Sequence, residues 1–134
     1  MRPFYQKLTL TLGLFLCLIP LQAQKAKFVT LTPVDFKAQI EQTVNPFIVD
    51  VRSSVGDFKA GHIAGAVWMD WEDFQFIAKL KQRCSESDPI FVYCKLGKTS
   101  KAAAKKMVSN GFKNVYSLKG GILIWEKSFP LVTE

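Results

Sequence analysis

Apolar positions along this chain follow two rhythms. One is the short, nearly continuous run, seen in "PFIVDV" (residues 46–51) and "PIFVY" (residues 89–93). Such runs suit strands buried on both faces, as in a parallel sheet. Shorter segments of the same kind are "AKFVTL" (26–31), "GAVWM" (65–69) and "NVYSL" (114–118). The other rhythm spaces apolar residues three or four apart, the period of a helix. Thr32 and Pro33 supply an N-cap hydroxyl and a proline at the first helical position, so a helix is expected over 33–42. Asp70 is expected to cap a helix whose Phe74, Ile77 and Leu80 form an apolar stripe. Residues 100–110, rich in alanine and lysine, form a further helix that Gly111 stops. "GGILIWEKSF" closes the chain with a turn and a short helix. Strands alternating with helices predict an α/β fold, with a central parallel five-stranded sheet and helices on both faces. Such folds place sites at the carboxyl ends of strands. Cys94 stands at such an end.

The segment after Cys94, "CKLGKTS", admits two chemistries. Gly97, Lys98 and Thr99 match the last three places of a P-loop, G-x-x-x-x-G-K-[ST]. The first glycine of that pattern falls on Val92, inside a strand, so the turn that starts a phosphate cradle is missing. A cysteine phosphatase needs C-x-x-x-x-x-R, whose guanidinium grips phosphate as a fork. Six residues after Cys94 comes Ser100. What remains is a cysteine at a strand end, a short glycine-containing turn and a helix N-terminus. That arrangement aims backbone N–H groups and partial positive charge at the sulfur. Lys95 and Lys98 add full charges nearby. Each favours the thiolate, the nucleophilic form of cysteine.

A separate apolar run opens the chain. Residues 1–7 carry Arg2 and Lys7 and no acid, residues 8–19 are apolar, and "PLQA" ends at Ala23. This reads as a secretory signal peptide over 1–23, leaving one domain over 24–134. The run is short for a membrane span of about 20 residues, so no stable membrane insertion is expected after cleavage. A retained anchor is the alternative. Leu16 before Cys17 argues against lipid attachment. The expected location is the periplasm or outside the cell. Removing Arg2 and Lys7 from 18 basic and 11 acidic residues leaves a net charge of +5. The basic residues form no continuous run and accompany no nucleic-acid motif, so no nucleic-acid partner is expected. Cys84 and Cys94 survive cleavage. A strand of five residues, about 16 Å long, separates them, whereas disulfide Cα atoms lie roughly 4.4–6.8 Å apart. The two are expected to remain thiols.

Four segments, in order, make the chain resemble a single-domain rhodanese-like sulfurtransferase across about residues 28–131. "FIVDVR" is similar to that family's Asp-x-Arg strand end, and "DFKAGHIAGAVWM" to its acidic–aromatic–GHI segment. "VYCKLGKTS" resembles its catalytic-cysteine loop, and "LKGGILIW" its closing segment. The resemblance implies a rhodanese-like fold in which Cys94 accepts sulfane sulfur from a small anionic donor such as thiosulfate. A cysteine persulfide then passes the sulfur to cyanide, another thiol or a protein acceptor. It implies donor binding by Lys95, Leu96, Gly97, Lys98, Thr99 and Ser100, with Arg52 beside them. No metal or organic cofactor is implied. One position departs from the family. The usual loop carries arginine five residues after the cysteine, and here that place is Thr99. This keeps a second reading open, a sulfur-relay or protein-docking module without efficient turnover. Asp50 and Arg52 are expected to pair and organise the sheet edge, and His62 to be structural. Trp68, Trp71 and Trp125 are expected in the core or the site wall. Lys101 and Lys105 are expected on a solvated helix face.

Overall fold

The computed structural model describes residues 27–134. The expected signal peptide, residues 1–23, lies outside that range. Ten elements follow one another: β1 (Val29–Leu31), α1 (Pro33–Gln42), β2 (Phe47–Asp50), α2 (Val55–Ala60), β3 (Ala66–Trp68), α3 (Phe76–Arg83), β4 (Pro89–Tyr93), α4 (Lys98–Ser109), β5 (Asn114–Leu118) and α5 (Gly121–Trp125). The five strands form one sheet in the order β1-β5-β4-β2-β3, and every pairing is parallel.

The near-continuous apolar runs are continuous because both faces of the sheet are covered. Side chains alternate along each strand. Val49, Ile90, Val92 and Val115 face one way, onto Phe76 and Leu80 of α3 and Ala103, Ala104 and Met107 of α4. Ile48, Phe91, Tyr93 and Leu118 face the other way, onto Phe36 of α1 and Ile122 and Trp125 of α5. Small alanines let α4 lie close to the sheet. Thr32 caps α1 as expected, its Oγ1 accepting the Asp35 N–H at 3.3 Å. Such a cap is worth about 1 kcal/mol.

One expectation differs from the structure. The third helix does not start behind Asp70. Asp70 Oδ1 accepts the Glu72 N–H in a turn, and α3 begins only at Phe76. Phe74 is therefore 91% exposed, and Phe76 takes the buried place on the stripe beside Leu80. Between β2 and β3 the chain also forms a short helix, α2, that the apolar pattern does not predict. Ser54 starts it by accepting the Asp57 N–H at 3.1 Å, and Phe58 anchors it in the core. At six residues it is too short for a helical period to show.

The order of strands positions the site. β5, β4 and β2 are consecutive neighbours. All run parallel, so the segments that follow them converge on one edge of the sheet. Those segments begin at Lys119, Cys94 and Val51. Cys84 lies at the opposite edge, at the end of α3, and both cysteines are free thiols.

Candidate active site

The loop from Cys94 to Ser100 wraps its backbone around its own sulfur. Gly97 donates its N–H to Cys94 Sγ at 3.1 Å, and Ser100 does so at 3.2 Å. Gly97 can close this turn because its φ is +91°, a left-handed conformation that favours glycine. The turn is packed from behind. A Cβ on Gly97 would stand 2.8 Å from the Gly120 backbone nitrogen. Ile122 N–H donates to the Cys94 carbonyl at 2.9 Å, and Leu123 N–H to that of Lys95 at 3.2 Å. The tight "GG" turn therefore serves as the floor of the cysteine loop.

A buried hydroxyl chain fixes the far side. Ser117 Oγ donates to Ser100 Oγ at 3.2 Å, which donates to the Gly97 carbonyl at 3.2 Å. Ser100 and Ser117 are fully buried. The Ser100 hydroxyl thus looks inward, and only its N–H serves the sulfur.

Arg52 arrives from the neighbouring strand end. Its Nη2 donates to Asp50 Oδ2 at 2.6 Å and to the Gly61 carbonyl at 2.7 Å, while Nε reaches both Asp50 oxygens at 3.0 Å. Asp50 is fully buried, and only 11% of the Arg52 side chain is exposed. Removing one partner from such a pair costs about 3–5 kcal/mol, because the other charge stays buried alone. Burial alone would loosen the proton on Arg52. Hydrogen bonds and charge from Asp50, with Tyr93 and Asp57 adding to them, outweigh it and hold the guanidinium above its ordinary value. Burial, reinforced by Asp50, pushes the Tyr93 phenol well above its usual range. It stays neutral, and its oxygen accepts the Ile63 N–H at 3.1 Å. His62 stacks on Phe58 at 3.9 Å, and its Nδ1 lies 2.8 Å from the Phe58 carbonyl, a structural place.

Cys94 opens onto a cavity of about 180 Å³, whose wall includes Arg52, Asp57, Trp71, Glu72, Lys95 and Thr99. Among the loop residues expected to bind a donor, Lys95 and Thr99 line this space directly. Gly97 and Ser100 act through the sulfur. Leu96, 65% exposed, and Lys98, also exposed, lie outside the wall. Lys101 and Lys105 are exposed on α4. Trp71 joins the wall, Trp125 belongs to the core, and Trp68 donates its indole N–H to the Arg52 carbonyl at 2.7 Å. Sequence reasoning missed Asp57, Glu72 and Ser117 as site residues. Ser117 carried a signal, a lone hydroxyl inside an otherwise apolar strand.

The arrangement can hold a sulfur anion against two backbone N–H donors in a small open recess. N–H donors already aimed at a developing negative charge cost no reorganisation when it appears. Residues 32–128 match the family model described as the rhodanese-like domain. Among known proteins, the chain is 34% identical over 105 residues to the thiosulfate sulfurtransferase GlpE of Pseudomonas fluorescens, covering 78% of this chain and 91% of that protein. It is 34% identical over 83 residues to the protein of the same name from Coxiella burnetii, covering 62% and 74%. A crystal structure from Anabaena superposes with a TM-score of 0.68 at 27% identity, over 78% of this chain and 82% of that one. A rhodanese-like domain protein from Staphylococcus aureus shares the fold, with a TM-score of 0.66 at 19% identity, over 79% and 98%. With two backbone N–H groups on its loop cysteine, a doubly covered parallel sheet and these likenesses, the chain belongs to the rhodanese-like domain family.

Proposed function

We propose that this protein is a rhodanese-type sulfurtransferase that carries sulfane sulfur as a persulfide on Cys94. The observation that carries the reading is the pair of N–H bonds to Sγ at the mouth of a small cavity. Relatives that bear the name thiosulfate sulfurtransferase support it. The Cys94 thiolate attacks the outer sulfur of a donor such as thiosulfate. The donor's S–S bond breaks, sulfite leaves with the electron pair, and Cys94 holds a persulfide. A thiophilic acceptor then takes the outer sulfur and returns the thiolate; cyanide would leave as thiocyanate. The Gly97 and Ser100 N–H groups stand where negative charge rests in each half. Asp50 and Arg52 tie the β2 end to the Gly61 carbonyl, and the Val51 N–H joins that end to the Tyr93 carbonyl just before Cys94.

Mass spectrometry after thiosulfate treatment tests the reading. A gain of about 32 Da (one sulfur) on the native protein, lost on adding cyanide, is expected. Cys94→Ser should neither gain the mass nor turn over. A persulfide that forms but is not released to any acceptor would favour the sulfur-relay reading instead. The same adduct on Cys94→Ser would remove Cys94 as the carrier.

We also propose that residues 1–23 direct export and are cleaved near Ala23, so that the domain works in the periplasm or outside the cell. The charged start and short apolar run support this. No helix of the described residues is long and apolar enough to cross a membrane. The N-terminus of protein recovered from its native host decides it. A chain that still begins at Met1 would defeat cleavage.

A further inference from the structure

We propose that Trp71 is a wall of the sulfur site that touches the bound donor, and that Lys106, on α4, is the residue that positions it; this rests on the reading of Cys94 as the sulfur carrier. The Lys106 ammonium lies 5.9 Å from the centre of the Trp71 ring and 5.7 Å from that of Phe76. The negative face of an aromatic ring attracts a cation, and tryptophan does so best. The Asp73 carboxyl, held below its ordinary value by the Lys79 hydrogen bond and the Gln75 N–H, also feels Lys106. Asp73 pairs with Lys79, however. Among the described residues Lys106 makes no ion pair, and its charge rests on the two rings instead.

Trp71 stands where such a hold matters. It is half-buried, packs against the core that α3 and α4 cover, and lines the cavity onto which Cys94 opens. Among the described residues it is the one aromatic side chain of that wall. Its apolar companion there, Val51, is fully buried, so the indole supplies the apolar surface that a donor meets. Polarizable sulfur packs favourably on aromatic rings. The turn that carries Trp71 belongs to no helix or strand. It lies between β3 and α3 and closes on itself through Asp70 and Asp73, which accept the Glu72 and Gln75 N–H groups. A second cavity, of about 550 Å³, runs along Asp70, Glu72 and Asp73, so the turn is flanked there by space. Trp68 is tied by its indole N–H to the Arg52 carbonyl. Among the described residues the Trp71 indole has no such acceptor, and packing and Lys106 hold it. α4 starts at the loop whose N–H groups serve the Cys94 sulfur. One helix thus fixes those donors at its start and the indole wall about two turns later.

Steady-state sulfur transfer from thiosulfate to cyanide tests this, with urea unfolding to confirm that each variant folds. Lys106→Met keeps an unbranched stem and removes the charge. Its kcat/KM should fall by about 2- to 5-fold, mostly through KM, because the sulfur and its N–H donors are untouched. Lys106→Arg restores a cation and should stay within about 2-fold of the native protein. Trp71→Leu should lose about 2- to 10-fold. Lys106→Met placed on Trp71→Leu should then cost less than about 1.5-fold more, since the ring it positions is gone. A lysine that drew the anionic donor directly would keep its full effect in the Trp71→Leu background, and that result overturns the inference. Native kcat/KM in Trp71→Leu or in Lys106→Met, or an equal loss in Lys106→Arg and Lys106→Met, would overturn it too. Where Trp71→Leu does not fold, Trp71→Phe offers a weaker partner for the cation and should shrink the effect of Lys106→Met; an undiminished effect counts against the inference. Failure of the carrier reading looks different: the native protein takes no sulfur from thiosulfate, or Cys94→Ser still transfers it.

Discussion

Cys84 and Cys94 stand at opposite edges of one sheet, and the difference between them is the direction of the nearest helix. Cys94 precedes α4, so unpaired N–H groups at the start of that helix point at its sulfur, and two of them reach it. Cys84 follows α3, so its sulfur meets the carbonyl end and donates to the Leu80 oxygen at 3.4 Å. A helix end of one polarity welcomes an anion, and the other repels it. Burial, with Asp88 nearby, pushes the Cys84 thiol up to about 11. The same side chain is thus held as a thiol donor at one edge and offered donors at the other. Reactivity here belongs to the strand end, not to the residue type.

The sharpest way to break this contrast is to spoil the turn that aims the N–H groups. Gly97→Ala forces a side chain into φ +91° and against the Gly120 nitrogen. Holding a residue in such a region costs about 1–3 kcal/mol. Sulfur transfer should fall by about 10-fold or more as the loop shifts off the sulfur. Steady-state rates and urea unfolding of the same protein would check both parts. Native activity in that variant would mean that the turn does not set the chemistry.

A gentler cut leaves the turn and loosens its anchor. Ser117→Ala removes one buried hydroxyl that holds Ser100. A hydrogen bond nets about 0.5–1.5 kcal/mol, so kcat/KM should drop by about 2- to 10-fold. The double variant with Ser100→Ala should lose less than the product of the single losses, because the two hydroxyls act as one chain. Strictly multiplicative losses would show that Ser117 acts through some other path.

The smallest effect is expected at the other edge. Cys84→Ser should change sulfur transfer by less than about 2-fold, the range of substitutions away from special features. Its signature lies in stability at high pH. The folded thiol holds its proton to about 11, above the unfolded value of 9.0. Its contribution to stability is therefore full below about pH 9 and is lost as pH rises through about 11. Urea unfolding at pH 8 and at pH 10 should show a steeper decline for the native protein than for Cys84→Ser. Parallel declines would assign the loss to other groups. An equal loss of transfer in the Cys84 and Cys94 variants would point to a redox pair and end the contrast.

Much of this molecule was legible along the chain because its cause is local. Apolar runs marked all five strands, and β4 and β5 carry the expected limits. Thr32 and Pro33 marked the start of α1. The Asp50–Arg52 pair and the two free thiols also followed from local pattern and reach, and the structural His62 from the resemblance of its GHI segment. The onset of α3 did not. Asp70 has a capping residue's chemistry but spends it on a turn, and packing of Phe76 rather than Phe74 decides where the helix begins. A six-residue helix such as α2 shows too little of a period to be read.

By itself, the sequence determined that Cys94 ends a buried strand and precedes a glycine turn and a helix. Side-chain alternation, the φ of glycine and the polarity of a helix act over a few residues. Only the tertiary structure decided what surrounds that sulfur. The strand order β5-β4-β2 brought Ser117 and Arg52 to the same edge from distant parts of the chain. Chain folding, and not spacing, set Asp57 and Glu72 in one wall with Lys95 and Thr99. Charges act through space rather than along the backbone, so the field around Cys94 exists only once the sheet has gathered them.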